Sequence, residues 1–370
     1  MTIVLLFFMV ISSLLAQVDR NASSEVRELY KRLNDVSLSI NTNQKILLGQ
    51  QNAFMEGRGW RYGNQEIGLD LKSDMNEVAG LHPNVYGIDF SEIGQWNKEL
   101  IKSQIQMVHK KGGVITLSWH MRALIDDGKG DQSSKDKSTK IVHRILKGGD
   151  HHHILLKELD RLIEFLKEIQ NIPVIFRPWH EHNYSWFWWG KNHCNKQDFI
   201  QLWQTTSDYL KNQGVHNLLY AYSPTQIESN YLDRYPGDNF VDILGVDHYF
   251  YNKIYDLALI GMNPLKKYKE GIVWLCEESV RRNKIPAITE FGQESSHYNR
   301  FWTDYFGKPL MKESMEKLTA TREAPKKGPA YIMLWRNDQS DPKHYYGPVP
   351  DHKNNDNFKE LLDTGIFQGL

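Results

Sequence analysis

The sequence predicts an α/β fold, a single (β/α)8 TIM barrel, on three observations. Eight short apolar runs alternate with longer stretches of helical periodicity, the pattern of parallel βα units. Each run begins with β-branched or apolar residues and ends in polar or aromatic ones, and near-continuous apolarity marks strands buried on both faces. The turn after the first run, Gly49-Gln50-Gln51-Asn52, lacks the glycine fingerprint of a dinucleotide-binding sheet. An open doubly wound sheet is the competing arrangement that alternation alone leaves standing.

In chain order the runs are Lys45–Gln51, Asn84–Phe90, Gly113–His120, Val174–Glu181, Asn217–Pro224, Val241–Tyr249, Pro286–Gly292 and Ala330–Asp338. Between the third and fourth, Leu155, Leu159, Leu162, Ile163, Leu166 and Ile169 recur at helical spacing within His153–Gln170. They make one apolar stripe on a helix. Between the fourth and fifth, Phe199, Leu202, Trp203 and Thr206 do the same over Lys196–Lys211, with Asn195 placed to cap the first turn. The segment Asp126–Lys140 is rich in Gly, Ser, Lys and Asp and reads as a surface loop.

With 370 residues, 40% of them hydrophobic, the chain can bury a sizeable core, and an α/β barrel of ~250 residues or more forms one domain. Its 45 basic and 45 acidic side chains cancel, so neither nucleic acid nor an anionic membrane surface is an expected partner. Aromatic residues are abundant, with 11 Trp, 18 Tyr and 15 Phe. Rings outside the core can stack on the apolar faces of sugars, which permits a carbohydrate ligand without requiring one. The stretch Met1–Ala16 is apolar, ends in small residues and is shorter than the ~20 residues of a membrane span. It is expected to be a secretory signal peptide, leaving a barrel domain over residues 17–370 that is secreted to the periplasm or the exterior. No Lys or Arg precedes the apolar run, and a buried N-terminal strand or helix is the alternative. For Cys194 and Cys276, one disulfide and two buried thiols fit equally.

Barrel enzymes carry their chemistry at the C-terminal ends of strands. Those ends here bear His120, His180, Glu181, Tyr222, Asp247, Tyr249, Glu290 and Trp335. Glu181 and Glu290 end the fourth and seventh strands and so face each other across the barrel mouth. Glycoside hydrolysis needs two carboxyl groups flanking the scissile bond, ~5–5.5 Å apart where configuration is retained. A salt bridge from Glu181 to Arg177, or a structural pair at Glu290, is the plainer reading of each. Against it stands the run Trp186-Phe187-Trp188-Trp189, which fits neither a helical nor a strand period. Four such rings are hard to bury together, so at least one is expected to line an open cleft.

The segment Arg177-Pro178-Trp179-His180-Glu181-His182-Asn183-Tyr184-Ser185-Trp186-Phe187-Trp188-Trp189-Gly190 resembles the acid/base signature of glycoside hydrolase family 26. Thr289-Glu290-Phe291-Gly292 is similar to the nucleophile segment of that family. Ser118-Trp119-His120, Tyr222-Ser223-Pro224, Gly245-Val246-Asp247-His248-Tyr249 and Tyr331–Trp335 follow in the matching order. The resemblance implies a retaining (β/α)8 barrel acting as an endo-β-1,4-mannanase. Another retaining β-glycanase is the alternative: an exo-mannanase, a xylanase or a mixed-linkage glucanase. A non-catalytic carbohydrate-binding barrel is the rival class. The resemblance also implies roles. Glu181 is the acid/base and Glu290 the nucleophile; Tyr249 bonds the nucleophile; His120 and His180 hold the reacting sugar. Trp186 and Trp335 are stacking platforms, and Tyr222 borders the cleft. Where many members carry Asn-Pro, this chain has Met121-Arg122-Ala123-Leu124-Ile125, which implies a different loop there.

Other signals point nowhere else. His151-His152-His153 cannot all reach one ion from a helix start, and His180-Glu181-His182 is not the HExxH pattern of zinc hydrolases. No G-x-S-x-G elbow occurs. The expectation is therefore a polysaccharide-binding monomer of the β-mannan type, with no cofactor, no metal and no stable membrane insertion.

Overall fold

Eight parallel strands close into a ring. They are β1 (Ile46–Gln51), β2 (Val85–Asp89), β3 (Val114–Ser118), β4 (Val174–Arg177), β5 (Leu218–Tyr222), β6 (Ile243–Tyr249), β7 (Ile285–Gly292) and β8 (Tyr331–Leu334). Each pairs with its sequence neighbour, and β8 returns to β1 in register from Leu47↔Tyr331 to Gln50↔Leu334. That last pairing rules out the open doubly wound sheet. The computed structural model describes residues 18–38, 45–63, 70–94, 98–126, 131–136, 140–250, 263–296, 298–316 and 325–370. The expected signal peptide Met1–Ala16 and parts of the polar loop Asp126–Lys140 lie outside the described residues.

The apolar stripes do what their spacing requires. Helix α2 (His152–Glu168) buries Leu155, Leu159, Leu162, Ile163 and Leu166 against the outer face of the sheet. Helix α3 (Lys196–Asn212) buries Phe199, Leu202, Trp203 and Thr206. Asn195 caps it, its side-chain oxygen accepting from Asp198 N at 2.8 Å. Inside the ring, Leu47, Val85, Val114, Ile175, Leu219, Ile243, Ile285 and Tyr331 point inward near the strand starts and form a second core. Helix α1 (Ser24–Leu38) seats Val26, Leu29 and Leu33 on that layer, closing the floor of the barrel. At the other terminus, Phe367–Gln368 pairs beside the start of β1, where β2 is not yet in register, and Leu370 exchanges two backbone bonds with His82.

Two strands end a full four residues earlier than their sequence suggests. β4 stops at Arg177 rather than Glu181, because Trp179 and Glu181 adopt φ of 52° and 54°, outside the extended region. β8 stops at Leu334 rather than Asp338. β7 carries the opposite irregularity. Its register with β6 slips between Val246↔Ile288 and Asp247↔Glu290, so Thr289 is an extra residue. Strict alternation would send Glu290 to the outer face with Ile288. The bulge turns both Thr289 and Glu290 inward and leaves Phe291 outside in the apolar layer.

Cys194 and Cys276 are both buried free thiols, not a disulfide. Among the described residues no helix is long and apolar enough to cross a membrane.

Because Leu33 is fully buried between α1 and the strand starts, Leu33→Ala is expected to destabilise the fold by about 3 kcal/mol. Urea unfolding followed by tryptophan fluorescence measures it; a loss under about 1 kcal/mol would mean that the helix does not close the floor.

Candidate active site

At the C-terminal end of the ring the strand ends open into a cleft of about 460 Å³, in the size range of ligand sites. Seven of the eight residues read from the sequence line it: His120, His180, Glu181, Trp186, Tyr249, Glu290 and Trp335. Glu181 and Glu290 approach to within 4.8 Å between carboxylate oxygens.

Below them lies a charge that the sequence reading assigned only as a neighbour for Glu181. Arg177 is fully buried inside the barrel and bonds β6 and β7 instead. Its Nη1 donates to Asp247 Oδ2 at 2.8 Å and to Ser223 Oγ at 3.2 Å, and its Nη2 donates to Glu290 Oε1. Thr289 Oγ1, freed by the bulge, donates to the other oxygen of Asp247 at 2.7 Å. Tyr249 Oη donates to Glu290 Oε2 at 2.5 Å. Glu290 thus has a donor on each oxygen, which fixes its orientation. Burial, with Glu290 and Glu181 nearby, pushes the Asp247 carboxyl well above its ordinary range against the pull of Arg177. Burial and the same carboxylates hold the Tyr249 phenol protonated, as a donor must be.

Glu181 lies in a different environment. It is half-buried, on a backbone held in the left-handed region, and its amide donates to Ser223 O at 2.8 Å. That bond ties the turn after β4 to the end of β5. Burial and the facing Glu290 charge push its carboxyl up to about 7, against Arg177, His120 and a 2.7 Å bond from Trp186 Nε1. One carboxyl is therefore protonated near neutrality while its partner is clasped by donors. A pair so divided can give a proton and supply a nucleophile in one step.

The aromatic run splits as its composition suggests. Phe187, Trp188 and Trp189 are buried, with the indole nitrogens donating to Met121 O and His180 O, while Trp186 lines the cleft. Met121, Ala123, Leu124 and Ile125 join the apolar core. Trp335 meets His120 edge-on across the cleft at 6.0 Å.

Tyr222 requires a correction. It is fully buried, packed on His182, Trp203, Tyr231 and Tyr235, and its hydroxyl donates to Tyr231 O. It ends β5 on the outward side, so it braces the wall and does not border the cleft. Sequence reasoning also missed Tyr346 and Asp89. Tyr346 comes from the C-terminal loop, packs on Gly292 and on the Tyr249 ring, and lines the cleft. Asp89 sits behind His120 and bonds its Nδ1 at 2.7 Å. Among the described residues, Glu181, Asp247 and Glu290 are the one grouping with metal-ligand spacing. The guanidinium of Arg177 already occupies the place of a counter-cation there, so the set does not suit a metal.

Paired carboxyl groups on strands four and seven of an eight-stranded barrel define the arrangement that glycoside hydrolysis uses. The family model Glycosyl hydrolase family 26 matches residues 18–323, and the chain belongs to that family. A mannan endo-1,4-β-mannosidase of Bifidobacterium adolescentis is 30% identical over 342 residues, 86% of this chain and 32% of that protein. One of Bacillus subtilis strain 168 is 27% identical over 219 residues, 54% of this chain and 59% of that protein. The chain spans less than two thirds of either relative. Among solved structures, a GH26 β-mannanase of Bacteroides ovatus superimposes with a TM-score of 0.77 at 30% identity, covering 94% of this chain and 95% of that one. The catalytic domain of a GH26 endo-β-1,4-mannanase of Bacillus sp. JAMB-750 gives 0.79 at 28% identity, covering 96% and 93%.

Removing the central cation should expose its structural role. Arg177→Met leaves Asp247 buried without its partner and is expected to cost about 3–5 kcal/mol of stability. The Asp247 pKa, already raised, then climbs further, so the folded state binds a proton more tightly than the unfolded chain. Stability of the variant is therefore expected to increase as pH falls from about 8 to about 5. Denaturant midpoints over that range check the sign; a flat profile would remove Asp247 from the account.

Proposed function

We propose that the chain is an endo-acting β-1,4-mannanase, hydrolysing β-mannosidic bonds by retaining double displacement. The observation that carries the reading is the approach of Glu181 and Glu290 to within 4.8 Å across an aromatic-walled cleft. That spacing leaves no room for a water between the carboxyl groups and the reacting carbon, which favours direct attack. The mannanase names of the relatives support the choice of substrate.

In the first step Glu181, protonated, gives its proton to the glycosidic oxygen as Glu290 attacks the anomeric carbon. The C–O bond breaks, the aglycone departs with the proton, and the sugar remains as an ester on Glu290. In the second, the Glu181 carboxylate takes a proton from water, whose oxygen attacks the same carbon and frees Glu290. Arg177 and Tyr249 aim the nucleophile throughout. Trp186 and Trp335 offer faces to neighbouring sugar rings, and His120 and His180 hold the reacting one. The apolar stretch Met1–Ala16 supports action outside the cytoplasm.

Linear β-mannan, β-xylan and mixed-linkage β-glucan, incubated in parallel with the protein and with Glu290→Ala, test substrate and nucleophile together. Mannan oligosaccharides of several lengths that vanish in the variant are expected. Cleavage of another glycan alone would overturn the substrate, and inverted anomers in the first products would overturn the mechanism. Glu181→Gln is expected to lower kcat/KM on mannan by ~10²–10⁴-fold, and near-normal hydrolysis would remove Glu181 from its role.

The pH profile carries a sign. Glu181 must be protonated to act, so the rate is expected to fall as pH passes about 7. Trp186→Phe removes a donor that favours the charged carboxylate, so the alkaline limb should move up by about one pH unit. A downward shift in the kcat profile would contradict the assignment.

A further inference from the structure

The cleft contains two histidines whose ring nitrogens face one another. His120 Nε2 lies 3.2 Å from His180 Nε2, so one hydrogen sits between them and one ring must accept. The other nitrogen of His120 is fixed from behind. Asp89, buried at the end of β2, bonds His120 Nδ1 at 2.7 Å and also accepts the backbone amide of His120. Ser118 Oγ, Ser91 Oγ and Ser91 N donate to the same carboxylate. His180, by contrast, has a buried Nδ1 with no protein partner, in a ring held by Phe187 and Trp189.

We propose that Asp89 is a positioning residue: by holding Nδ1–H of His120 it sets the direction of the His120–His180 hydrogen bond, and with it whether His180 Nδ1 meets the sugar as donor or acceptor. The inference rests on the reading of this cleft as the site of glycoside cleavage. Asp89 does not line the cleft and acts only through His120. With His120 protonated, its Nε2–H donates, His180 Nε2 accepts, and His180 Nδ1 carries a hydrogen for a sugar oxygen. With His120 neutral, the bond reverses and His180 Nδ1 becomes an acceptor.

Which state prevails depends on the charges around the pair. They are Asp89 from β2, Arg177 and Glu181 from β4 and its turn, and Glu290 from β7, with His182 behind His180. Burial disfavours the imidazolium of His120, but Asp89, by charge and hydrogen bond, and Glu290 outweigh it and lift the ring above its ordinary value despite Arg177. Burial, then Arg177 and His120, hold His180 far below. The pair therefore favours the first state, with a charged His120 and a donor at His180 Nδ1.

The test combines kinetics with ¹H–¹⁵N spectra of the histidine rings, His120 being assigned by subtraction in a His120→Gln variant. In Asp89→Asn the titration midpoint of His120 is expected to fall by about one unit or more, and kcat on mannan to fall ~10-fold with KM little changed. Ser91→Ala should move the midpoint the other way, because a carboxylate with one donor fewer attracts the imidazolium more strongly. Opposed shifts are not a consequence of general loosening. An unchanged midpoint in Asp89→Asn, or a shifted one with unchanged kcat, overturns the proposal. If Asp89→Asn does not fold, Ser91→Ala decides: an upward shift supports it and no shift overturns it. A wild type that cleaves no mannan would sink the mannanase reading, and with it the kinetic half of this one. A wild type that does, with Asp89→Asn kinetically silent, would sink this one alone.

Discussion

One buried cation organises the upper half of the barrel. Arg177 reaches from β4 across the interior to Asp247 on β6 and Glu290 on β7, fully buried. A charge so placed is costly unless every partner is in position. The bulge in β7 is what puts them there, because it turns Thr289 and Glu290 inward together: one donates to Asp247 and the other accepts from Arg177. Asp247 and Glu290 share the one guanidinium. Glu181 faces Glu290 from a half-buried position, and burial together with that neighbouring charge raises its affinity for a proton. Two chemically identical side chains thus divide the labour by their surroundings: Arg177 and Tyr249 clasp one, and burial beside it governs the other.

Much of this arrangement could be read from the chain. Apolar runs at regular intervals located all eight strands, since strands buried on both faces leave an unmistakable composition. The polar residue ending each run located the cleft. What escaped has a common cause. Tyr222 and Tyr249 both end strands, and alternation alone does not say which of two aromatic residues faces the mouth when the barrel tilts its strands. Only packing against His182 and Trp203 decides that Tyr222 is wall. The early end of β4 was invisible because left-handed backbone at Trp179 and Glu181 is a tertiary result, against the local preference of both residues. Arg177 and Asp89 did give a signal: a charged residue within or at the end of an apolar strand is rare without a buried partner. The sequence does not say which partner, as the residues that answer Arg177 lie 70 and 113 positions away.

The aromatic content finds its explanation in the same way. Rings that the composition offers for sugar binding are mostly structural, forming edge-to-face chains within the turn after β4, which Trp179 ties to α3 by donating to Thr206 Oγ1. A few remain at the surface of the cleft, and Tyr346 joins them from a loop with no aromatic periodicity to announce it.

Helix α1 and residues 367–370 meet at the floor of the ring, although they lie far apart in sequence. The layer that Val26, Leu29 and Leu33 cover is assembled from all eight strands, and its last member, Tyr331, emerges about three hundred residues after the helix. Until then α1 holds an apolar face with nothing to rest on. A chain with its floor built this way has a high contact order, and its ring closes only once the eighth strand is available.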